Sequence, residues 1–543
     1  MRRGDSDRRK GIRLSPHPGE GGEVEERSIA PFMRASLSDR LNTKRSWAIA
    51  RSLGRRWRRA SVCGGAITLA LLFLLGRCPG AEGPLRYQSL YRQLERALEA
   101  FARRVPDVRA SVPIFGAELL PANAHRGPAL LRPDTRAGIA LYLDALRALG
   151  VRGVKVAISY PILSGDDPHR DAYLAFYRDI VREVRQRGMR LLVGTGVLIP
   201  DETTGVGPHP GLTMERYREA RRQIARTIAR ELQPDYLTIA NEPTTEARAT
   251  GLRQLADVDE YMRLVRFVLD GLADVRAGIR VGAGAGNWEA VEFVQRLAKM
   301  DELTYVDIHV YPATLGLLNR AAEMVRLVRA QGKPVIIGEA WLYKASAPEL
   351  MRNVAPGPIF ARDVFSFWAP LDQKFIEAIV RWASAEGVEF LSFFWSKYFF
   401  AYVDYAPAHE RLSPARLLGL ADAAAARNIL RGEVSPTGAY YRTLIAAYAP
   451  RKAYHLERPA GAVAKKMDSK ARRVLRCVEP SRVTNALRSA DALADNTHRS
   501  LSPMRMLMGF PGKLLGRGTY ICENPPRKRE FDDTATVLDS AFL

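Results

Sequence analysis

Short apolar runs alternate with amphipathic helical stretches from about residue 85 to residue 450 of the 543-residue chain. The runs rich in Val and Ile predict strands at 111–115, 153–159, 190–194, 236–240, 280–283, 306–310, 334–338 and 388–394. Between them, helical spacing predicts helices at 134–149, 170–187, 213–232, 258–272 and 321–329. Eight βα alternations predict an α/β fold, a single closed (β/α)8 barrel over residues 85–450. A doubly wound open sheet is the alternative, because periodicity does not distinguish closure.

Several residues at the ends of the helical stretches indicate where helices begin and end. Gly150, Gly188 and Gly332 each follow the last periodic residue of a helical stretch, the usual place of a stop glycine. Asp134 and Thr213 precede helical stretches and are candidate N-caps. These positions support the assignment of the helices.

Two segments interrupt the alternation, at 341–370 after the seventh strand and at 399–436 after the eighth. Both are predicted to be long loops on the C-terminal face of the barrel, where loops build active sites. They carry the aromatic residues Trp341, Tyr343, Trp368 and Tyr402. Such residues predict a cleft with aromatic platforms, which favours a polymeric substrate.

The net charge of +23 is concentrated at the two ends of the chain. Residues 1–60 carry +9 and residues 451–543 carry +8, whereas the 390 residues between them carry only +6. A nucleic-acid enzyme should place its positive charge on the folded face that grips phosphate, so a nucleic-acid partner is not expected. The basic N-terminal stretch 1–60 and the aperiodic stretch 451–543 are predicted to be mostly disordered tails.

An apolar segment at 62–75 follows four arginines and belongs to a candidate targeting region at 61–81. A basic flank, an apolar run and a small-residue stretch are typical of a secretory signal, and the run is short for a spanning helix. Uncleaved, it would tether the protein to a membrane with the barrel outside the cytoplasm. The expected location is therefore secreted or membrane-anchored. The four cysteines lie in the targeting region at 61–81 and in the C-terminal tail. No metal or cofactor site is therefore expected in the barrel. The protein is expected to be a monomer.

The first candidate for chemistry is the run LTIANEP at 237–243. An apolar strand ends in Asn241 and Glu242, and Pro243 then prevents the ladder from continuing. Glu242 is therefore predicted at the C-terminal end of a barrel strand, the catalytic position. A glutamate at the start of the next helix would suit the same sequence.

The second candidate is the run KPVIIGEAW at 333–341. A buried strand again ends in a glutamate, Glu339, between Gly338 and Ala340, which leave room for a ligand. Trp341 offers a flat apolar face on which a sugar could stack. A salt-bridged glutamate in the barrel mouth is the alternative, since a buried charge needs a partner.

The two glutamates are more informative together than separately. They would end the fourth and seventh strands, which face one another across a closed barrel. Retaining glycoside hydrolysis needs two carboxyl groups roughly 5–5.5 Å apart, one as proton donor and one as nucleophile. The pair Glu242 and Glu339 fits that requirement.

At this point the sequence resembles the clan of retaining (β/α)8 glycoside hydrolases that includes families 5 and 53. The resemblance covers about residues 108–450 and rests on four short motifs in strand order. They are Asn241-Glu242 at strand four, His309-x-Tyr311 at strand six, Glu339 at strand seven and Trp395 at strand eight.

The resemblance implies a glycosidase that acts on a β-linked poly- or oligosaccharide. Glu242 would be the acid/base and Glu339 the nucleophile, while Asn241 would bind the sugar 2-hydroxyl. Tyr311 would orient Glu339, and His309 is as readily a core histidine. Trp395 and Trp341 would contact the sugar.

Some features depart from this pattern. Strand three ends without the histidine usual in family 5, and Lys155 and Tyr160 of strand two match no family motif. A catalytically inactive barrel that binds glycan or a cell-envelope partner is therefore the alternative function. The glycine run 282–286 is a weak dinucleotide signal with the wrong spacing, and tight packing explains it more simply.

Overall fold

The fold is a closed barrel of eight parallel strands in sequential order, β1 to β8, in which β1 also pairs with β8. The structure, a computed structural model, describes residues 84–200, 209–352, 354 and 356–449. The predicted (β/α)8 barrel is confirmed, and the open-sheet alternative is excluded by the β1–β8 pairing. The strands are β1 Ile114–Glu118, β2 Gly153–Ala157, β3 Arg190–Gly194, β4 Tyr236–Thr238, β5 Arg280–Gly286, β6 Tyr305–Val310, β7 Val335–Ala340 and β8 Phe390–Phe393.

Helices surround the barrel and occupy the loops of its C-terminal face. The α-helices are α1 Leu85–Ala102, α2 Thr135–Ala148, α3 Arg170–Gln186, α4 Met214–Thr227, α5 Pro243–Thr250, α6 Val258–Asp270, α7 Val291–Ala298, α8 Leu315–Ala330, α9 Ala347–Met351, α10 Pro356–Phe360, α11 Ala369–Ala385, α12 Pro414–Arg431 and α13 Pro436–Tyr448. A π-helix, Ile228–Leu232, continues α4. The 3-10 helices are Leu120–Ala122, Ala124–Leu131, Arg253–Ala256, Ala361–Val364, Ser366–Trp368, Ser396–Phe399 and Pro407–Arg411.

The barrel interior is apolar at its N-terminal end and polar towards its mouth. A bottom layer of large side chains fills the interior, namely Leu192, Tyr236, Tyr305, Ile336 and Phe390, with Ile114 packed against them. Above that layer the inward positions carry polar groups, among them Thr238, Asp307 and His309, all buried. This arrangement closes the barrel floor and concentrates polar chemistry at the carboxyl ends of the strands.

Several predicted boundary residues take their expected roles. Gly150, Gly188 and Gly332 adopt positive φ values of 94°, 64° and 67°, the left-handed conformation that ends a helix. Thr213 caps α4 by accepting a hydrogen bond from the Arg216 amide at 3.3 Å. Asp134 occupies the N-cap position of α2 but makes no side-chain capping bond.

The predicted loop at 399–436 is wrong for much of its length, because it contains α12. Ser413 caps this helix, Pro414 occupies its first turn, and Gly432 ends it at φ 68°. These three residues are ordinary start and stop signals of a helix, and the prediction of a loop did not take them into account. In the described part of the other predicted loop, at 341–370, lie the short helices α9 and α10, two 3-10 helices and the first residues of α11.

The glycine run lies within β5, and tight packing accounts for it as predicted. A side chain at Gly284 would overlap the Asp307 backbone, and one at Gly282 would overlap the Tyr305 ring. A side chain at Gly286 would meet the ring of Trp288. Strand β5 therefore leaves its share of the interior to residues of its neighbours.

The predicted basic tail at 1–60, the targeting region at 61–81 and the tail at 451–543 lie outside the described residues. Among the residues that are described, none of the helices combines the length and the apolar character needed to cross a bilayer.

Candidate active site

Glu242 lies immediately beyond β4, at the turn that leads into α5. Its backbone is left-handed, with φ 50° and ψ 60°, a conformation that disfavours a residue with a Cβ. Pro243 opens α5, and the Glu246 amide donates to the Glu242 carbonyl at 2.9 Å. A strained non-glycine residue at a strand end is a frequent mark of a functional position.

Glu339 lies near the end of β7 and is held by three side chains of other strands. Lys155 of β2 donates a hydrogen bond to its Oε1, and the Tyr311 hydroxyl donates to its Oε2 at 2.7 Å. The His309 Nδ1 lies 3.7 Å from Oε2. Both carboxylate oxygens are therefore fixed by groups that favour the ionised form.

His309 of β6 lies between the two glutamates. Its Nδ1 is 2.6 Å from Glu242 Oε1, and its ring is 1% exposed. Burial favours the neutral ring, but the negative charges of Glu339 and Asp307 together outweigh it, and the pKa of His309 rises to about 10. A protonated His309 connects the two carboxyl groups instead of serving only as core.

One ligand atom from each of Glu242, His309 and Glu339 lies within 4.8 Å of the other two. The carboxyl groups of Glu242, which follows β4, and Glu339, on β7, thus approach each other across the mouth of the barrel. The same three atoms could also coordinate a small cation. Lys155 and the protonated His309 already supply positive charge to Glu339, which disfavours a metal ion there.

The electrostatic surroundings of Glu339 keep it ionised. Burial alone would raise its pKa, but the positive charges of Lys155 and His309 hold the pKa of Glu339 well below its usual range. An ionised carboxylate with both oxygens directed by donors is the form that can attack an electrophilic carbon.

Lys155 is shared with a second buried carboxyl group, Glu118 at the end of β1. The Lys155 ammonium lies 3.6 Å from Glu118 Oε2, and Asn123 donates to Oε1 at 3.0 Å. Burial raises the pKa of Glu118 despite the neighbouring Lys155. Sequence reasoning missed Glu118, although a charged residue within the apolar run at 114–120 was the available signal.

The glycines of β3 explain the absence of a histidine there. A Cβ on Gly194 would lie 3.0 Å from the Lys155 chain, and Gly196 adjoins the Asn241 amide. The end of β3 thus makes room for Lys155 and Asn241 instead of contributing its own side chain. Asn241 is partly exposed beside Glu242 and makes no side-chain hydrogen bond among the described residues. Tyr160 is buried against Tyr217, away from the glutamates.

A buried arginine supports the end of β4 from behind. Arg221 of α4 donates to the Ile239 carbonyl at 2.6 Å and to Glu246 Oε2 at 2.7 Å. Thr195 also donates to the Ile239 carbonyl, at 2.8 Å. This network fixes the strand end that presents Asn241 and Glu242. No sequence pattern indicates this network, because Arg221 is one of many charged residues in a highly basic helix.

Six partly exposed aromatic residues form an aromatic wall beside Glu339. They are Trp288, Tyr311, Tyr343, Phe360, Phe394 and Trp395. Tyr311 contacts the rings of Trp288, Phe360 and Phe394 at centroid distances of 5.9–6.3 Å. Trp395 lies against Phe394 at 4.8 Å and Phe360 at 5.3 Å. The wall offers apolar faces next to the carboxyl pair.

The prediction that Trp341 offers a stacking face is wrong. Its ring is 0% exposed, because Tyr398 and Phe375 pack against it and the Lys344 ammonium lies 5.5 Å from its centroid. Trp368 is buried on the opposite side of Lys344 and offers no platform either. Trp288 and Phe360, which sequence reasoning did not select, belong to the aromatic wall instead.

The sequence matches no protein-family model and no curated protein. Solved structures do resemble the chain, among them an exo-β-1,4-mannosidase from Opitutaceae bacterium strain TAV5. The identity is 15%, the TM-score is 0.40, and the match covers 63% of this chain. It covers 61% of the mannosidase chain, less than two thirds of its length.

Two further structures cover more of their own length. A GH53 catalytic domain from Ignisphaera aggregans has 16% identity and a TM-score of 0.33, over 54% of this chain and 89% of the other. An endoglucanase from Thermotoga maritima has 14% identity and a TM-score of 0.33, over 47% and 81%. At these values none of the likenesses assigns the chain to a family.

Proposed function

We propose that this protein is a retaining glycoside hydrolase that cleaves a β-linked glycan by double displacement. The observation that carries the proposal is the pair of carboxyl groups, Glu242 and Glu339, with oxygens within 4.8 Å of each other at the mouth of the barrel. That spacing leaves room for an anomeric carbon but not for the water that an inverting mechanism places between sugar and base.

In the first displacement, the Glu339 carboxylate attacks the anomeric carbon while the bond to the leaving oxygen breaks. Glu242 gives its proton to that oxygen, and a covalent glycosyl-enzyme results. Lys155 and Tyr311 hold the attacking carboxylate in place by donating to its two oxygens. Their contacts support the assignment of Glu339 as nucleophile.

In the second displacement, a water molecule attacks the same carbon while Glu242 accepts a proton from that water. The bond to Glu339 breaks, its carboxylate is restored, and the sugar leaves with its original anomeric configuration. Asn241 is placed beside Glu242 to bind a sugar hydroxyl, and the aromatic wall provides stacking faces for the glycan. The extent of the wall favours an oligo- or polysaccharide over a single small glycoside.

The test uses a panel of p-nitrophenyl β-glycosides and β-linked polysaccharides with the wild-type protein and two variants. Glu339→Ala should abolish turnover, and azide should restore it with a glycosyl azide of inverted configuration. Glu242→Ala should still release p-nitrophenol from activated aryl glycosides in a first burst, followed by slow turnover because the second displacement has lost its base. It should lose cleavage of the polysaccharides, whose poor leaving group needs protonation. Glu433→Ala, at an exposed site, is the matched control.

A substrate hydrolysed equally fast by the wild type and Glu339→Ala would refute the nucleophile assignment. Glycan binding unchanged by loss of either glutamate, with no hydrolysis on the panel, would favour the non-catalytic barrel instead. The anomer released first, followed by proton NMR, distinguishes retention from inversion independently of the variants.

We also propose that the barrel is exported, on the evidence of the apolar segment at 62–75 and its arginine flank. A fusion of residues 1–83 to alkaline phosphatase, which is active only outside the bacterial cytoplasm, tests this proposal. An inactive fusion that becomes active when a known signal replaces those residues would contradict it.

A further inference from the structure

Glu339 faces the barrel mouth only because β7 carries one extra residue. From Asp307 to His309 on β6 there are two steps, whereas their partners on β7, Ile336 and Glu339, are three steps apart. The β7–β8 pairing has the same mismatch, between Ile337 and Ala340. Both neighbours therefore place a β-bulge in the segment that ends at Glu339.

The bulge changes the side of the barrel to which Glu339 points. Ile336 belongs to the inward bottom layer, so regular alternation would put Gly338 inward and Glu339 towards the helices. The observed contacts of Glu339 with Lys155 and Tyr311 are inside the mouth. One inserted residue exchanges inward and outward positions, which accounts for the difference.

The carboxylate of Asp307 occupies the space beside the bulge. Its Oδ1 accepts a hydrogen bond from the Gly338 amide at 2.8 Å, in place of a strand partner. Its Oδ2 accepts from the Thr238 hydroxyl at 2.8 Å, which fixes the orientation of the carboxylate. Asp307 is 0% exposed, so these bonds are shielded from water.

Gly338 is shaped for this contact. A Cβ at this position would lie 2.6 Å from both carboxylate oxygens of Asp307. The Asp307 carboxylate thus fills the place of the missing side chain and satisfies the amide that the bulge frees. Without that acceptor, the buried Gly338 amide would lose its hydrogen-bond partner, which would destabilise the bulge.

We infer that Asp307 is a positioning residue, which holds the β7 bulge through the Gly338 amide and thereby directs Glu339 into the barrel mouth. Asp307 would not touch the reacting sugar itself; it acts on Glu339 through the Gly338 amide, and its Oδ2 also lies 3.8 Å from His309 Nε2. It stabilises an irregular strand that would otherwise return to regular pairing and turn Glu339 away. The catalytic consequence rests on the proposed function, whereas the structural consequence does not.

Two variants distinguish the effect of the hydrogen bond to the bulge from the effect of the Asp307 charge. Asp307→Asn keeps an oxygen for the Gly338 amide and removes the charge, while Asp307→Ala removes the acceptor itself. Crystal structures should show the bond between Tyr311 and Glu339 retained in the Asn variant. In the Ala variant, that separation should exceed the hydrogen-bond reach of about 3.2 Å. If the Ala variant does not fold, Asp307→Ser, whose hydroxyl is too short to reach the Gly338 amide, takes its place.

The kinetic readout uses p-nitrophenyl β-glycosides. The Ala variant should lose about 100-fold in kcat per folded molecule with KM unchanged, the effect of a misplaced reacting group. The Asn variant should keep most of the activity. A merely structural role would lower the stability of both variants and leave kcat per folded molecule unchanged.

Two results would overturn the inference: Glu339 in its wild-type position in the Ala variant, or an Asn variant as inactive as Ala with Glu339 in place. Failure of the wild type on every glycoside would refute the proposed function alone, because the crystal structures still decide the role of Asp307.

Discussion

Lys155 on β2 donates a hydrogen bond to Glu339 on β7, across the mouth of the barrel. The lysine is 1% exposed and lies between two carboxylates, with Glu118 on its other side at 3.6 Å. The negative charge of Glu339 is thus balanced inside the protein and not by solvent. The first prediction concerns this balance.

Lys155→Met removes the ammonium and keeps a side chain of similar length. We expect kcat/KM on an aryl glycoside to fall roughly 100-fold, as when one preorganised donor is lost. Because the lysine lowers the pKa of Glu339, its loss raises that pKa, and the acid limb of the pH–rate profile should move to higher pH. Lys155→Arg, which keeps a charge, is the control, and an acid limb that stays in place in the Met variant would contradict the expected role.

Arg221→Met tests the support behind β4. Its side chain and that of Glu246 are 0% and 3% exposed, so removal of the arginine leaves a buried carboxylate without its cation. We expect the free energy of unfolding to fall by about 3–5 kcal/mol. Arg263→Met breaks an ion pair of an arginine that is 53% exposed, and should cost less than about 1 kcal/mol. Equal losses in denaturant titrations of the two variants would show that burial of the pair has no importance.

Replacement by alanine should affect stability at Trp341 and glycan binding at Trp395. Trp341→Ala empties a fully buried site and should destabilise the protein by about 3–5 kcal/mol, with little effect on the affinity of the remaining folded molecules. Trp395→Ala should weaken glycan binding by about 0.5–1.5 kcal/mol, since it removes a partly exposed ring of the aromatic wall. Thermal unfolding measures the stability, and affinity electrophoresis measures the glycan binding. Weaker glycan binding by the folded Trp341→Ala variant would show that Trp341 contacts the sugar.

Glu118 should make stability depend on pH in a defined window. Its folded-state pKa is raised from 4.5 to about 7, so folded Glu118 holds its proton more tightly than the unfolded chain does. The stability linked to that proton is fully present below about pH 4.5 and is lost as the pH rises through about 7.

Glu118→Gln cannot ionise and should lose this dependence. The unfolding free energy of the wild type minus that of the variant should therefore decrease from pH 4.5 to about 7. The exposed Glu433 provides the matched variant Glu433→Gln, for which the same difference should stay flat. Denaturant unfolding across the window measures both, and a flat difference for Glu118→Gln would contradict the burial argument.

Much of the fold could be predicted from local pattern. The predicted strand at 190–194 coincides with β3, and the stop glycines at 150, 188 and 332 have the conformation expected of them. These features depend on neighbours in sequence, which is why they can be predicted. Helix α12 has local signals of the same kind, Ser413, Pro414 and Gly432, which the prediction of a loop overlooked.

The candidate site was only partly accessible to the same reasoning. Glu242 and Glu339 could be selected because each ends an apolar run with an acidic residue. Asp307 and Arg221 act through backbone groups of other strands, Gly338 and Ile239, and such pairings follow from register rather than from spacing. The burial of Trp341 likewise depends on Tyr398, which is distant along the chain.

Because Gly282 and Gly284 of β5 carry no side chain, the Tyr305 ring and the Asp307 backbone of β6 lie directly against that strand. The two strands are therefore complementary in shape and have to be exchanged together. A graft of β5 from another barrel would collide with β6, and a graft of β6 alone would leave a hollow beside the glycines. Recombination that is to yield a folded chimera must therefore cut outside residues 280–310, so that both strands travel together.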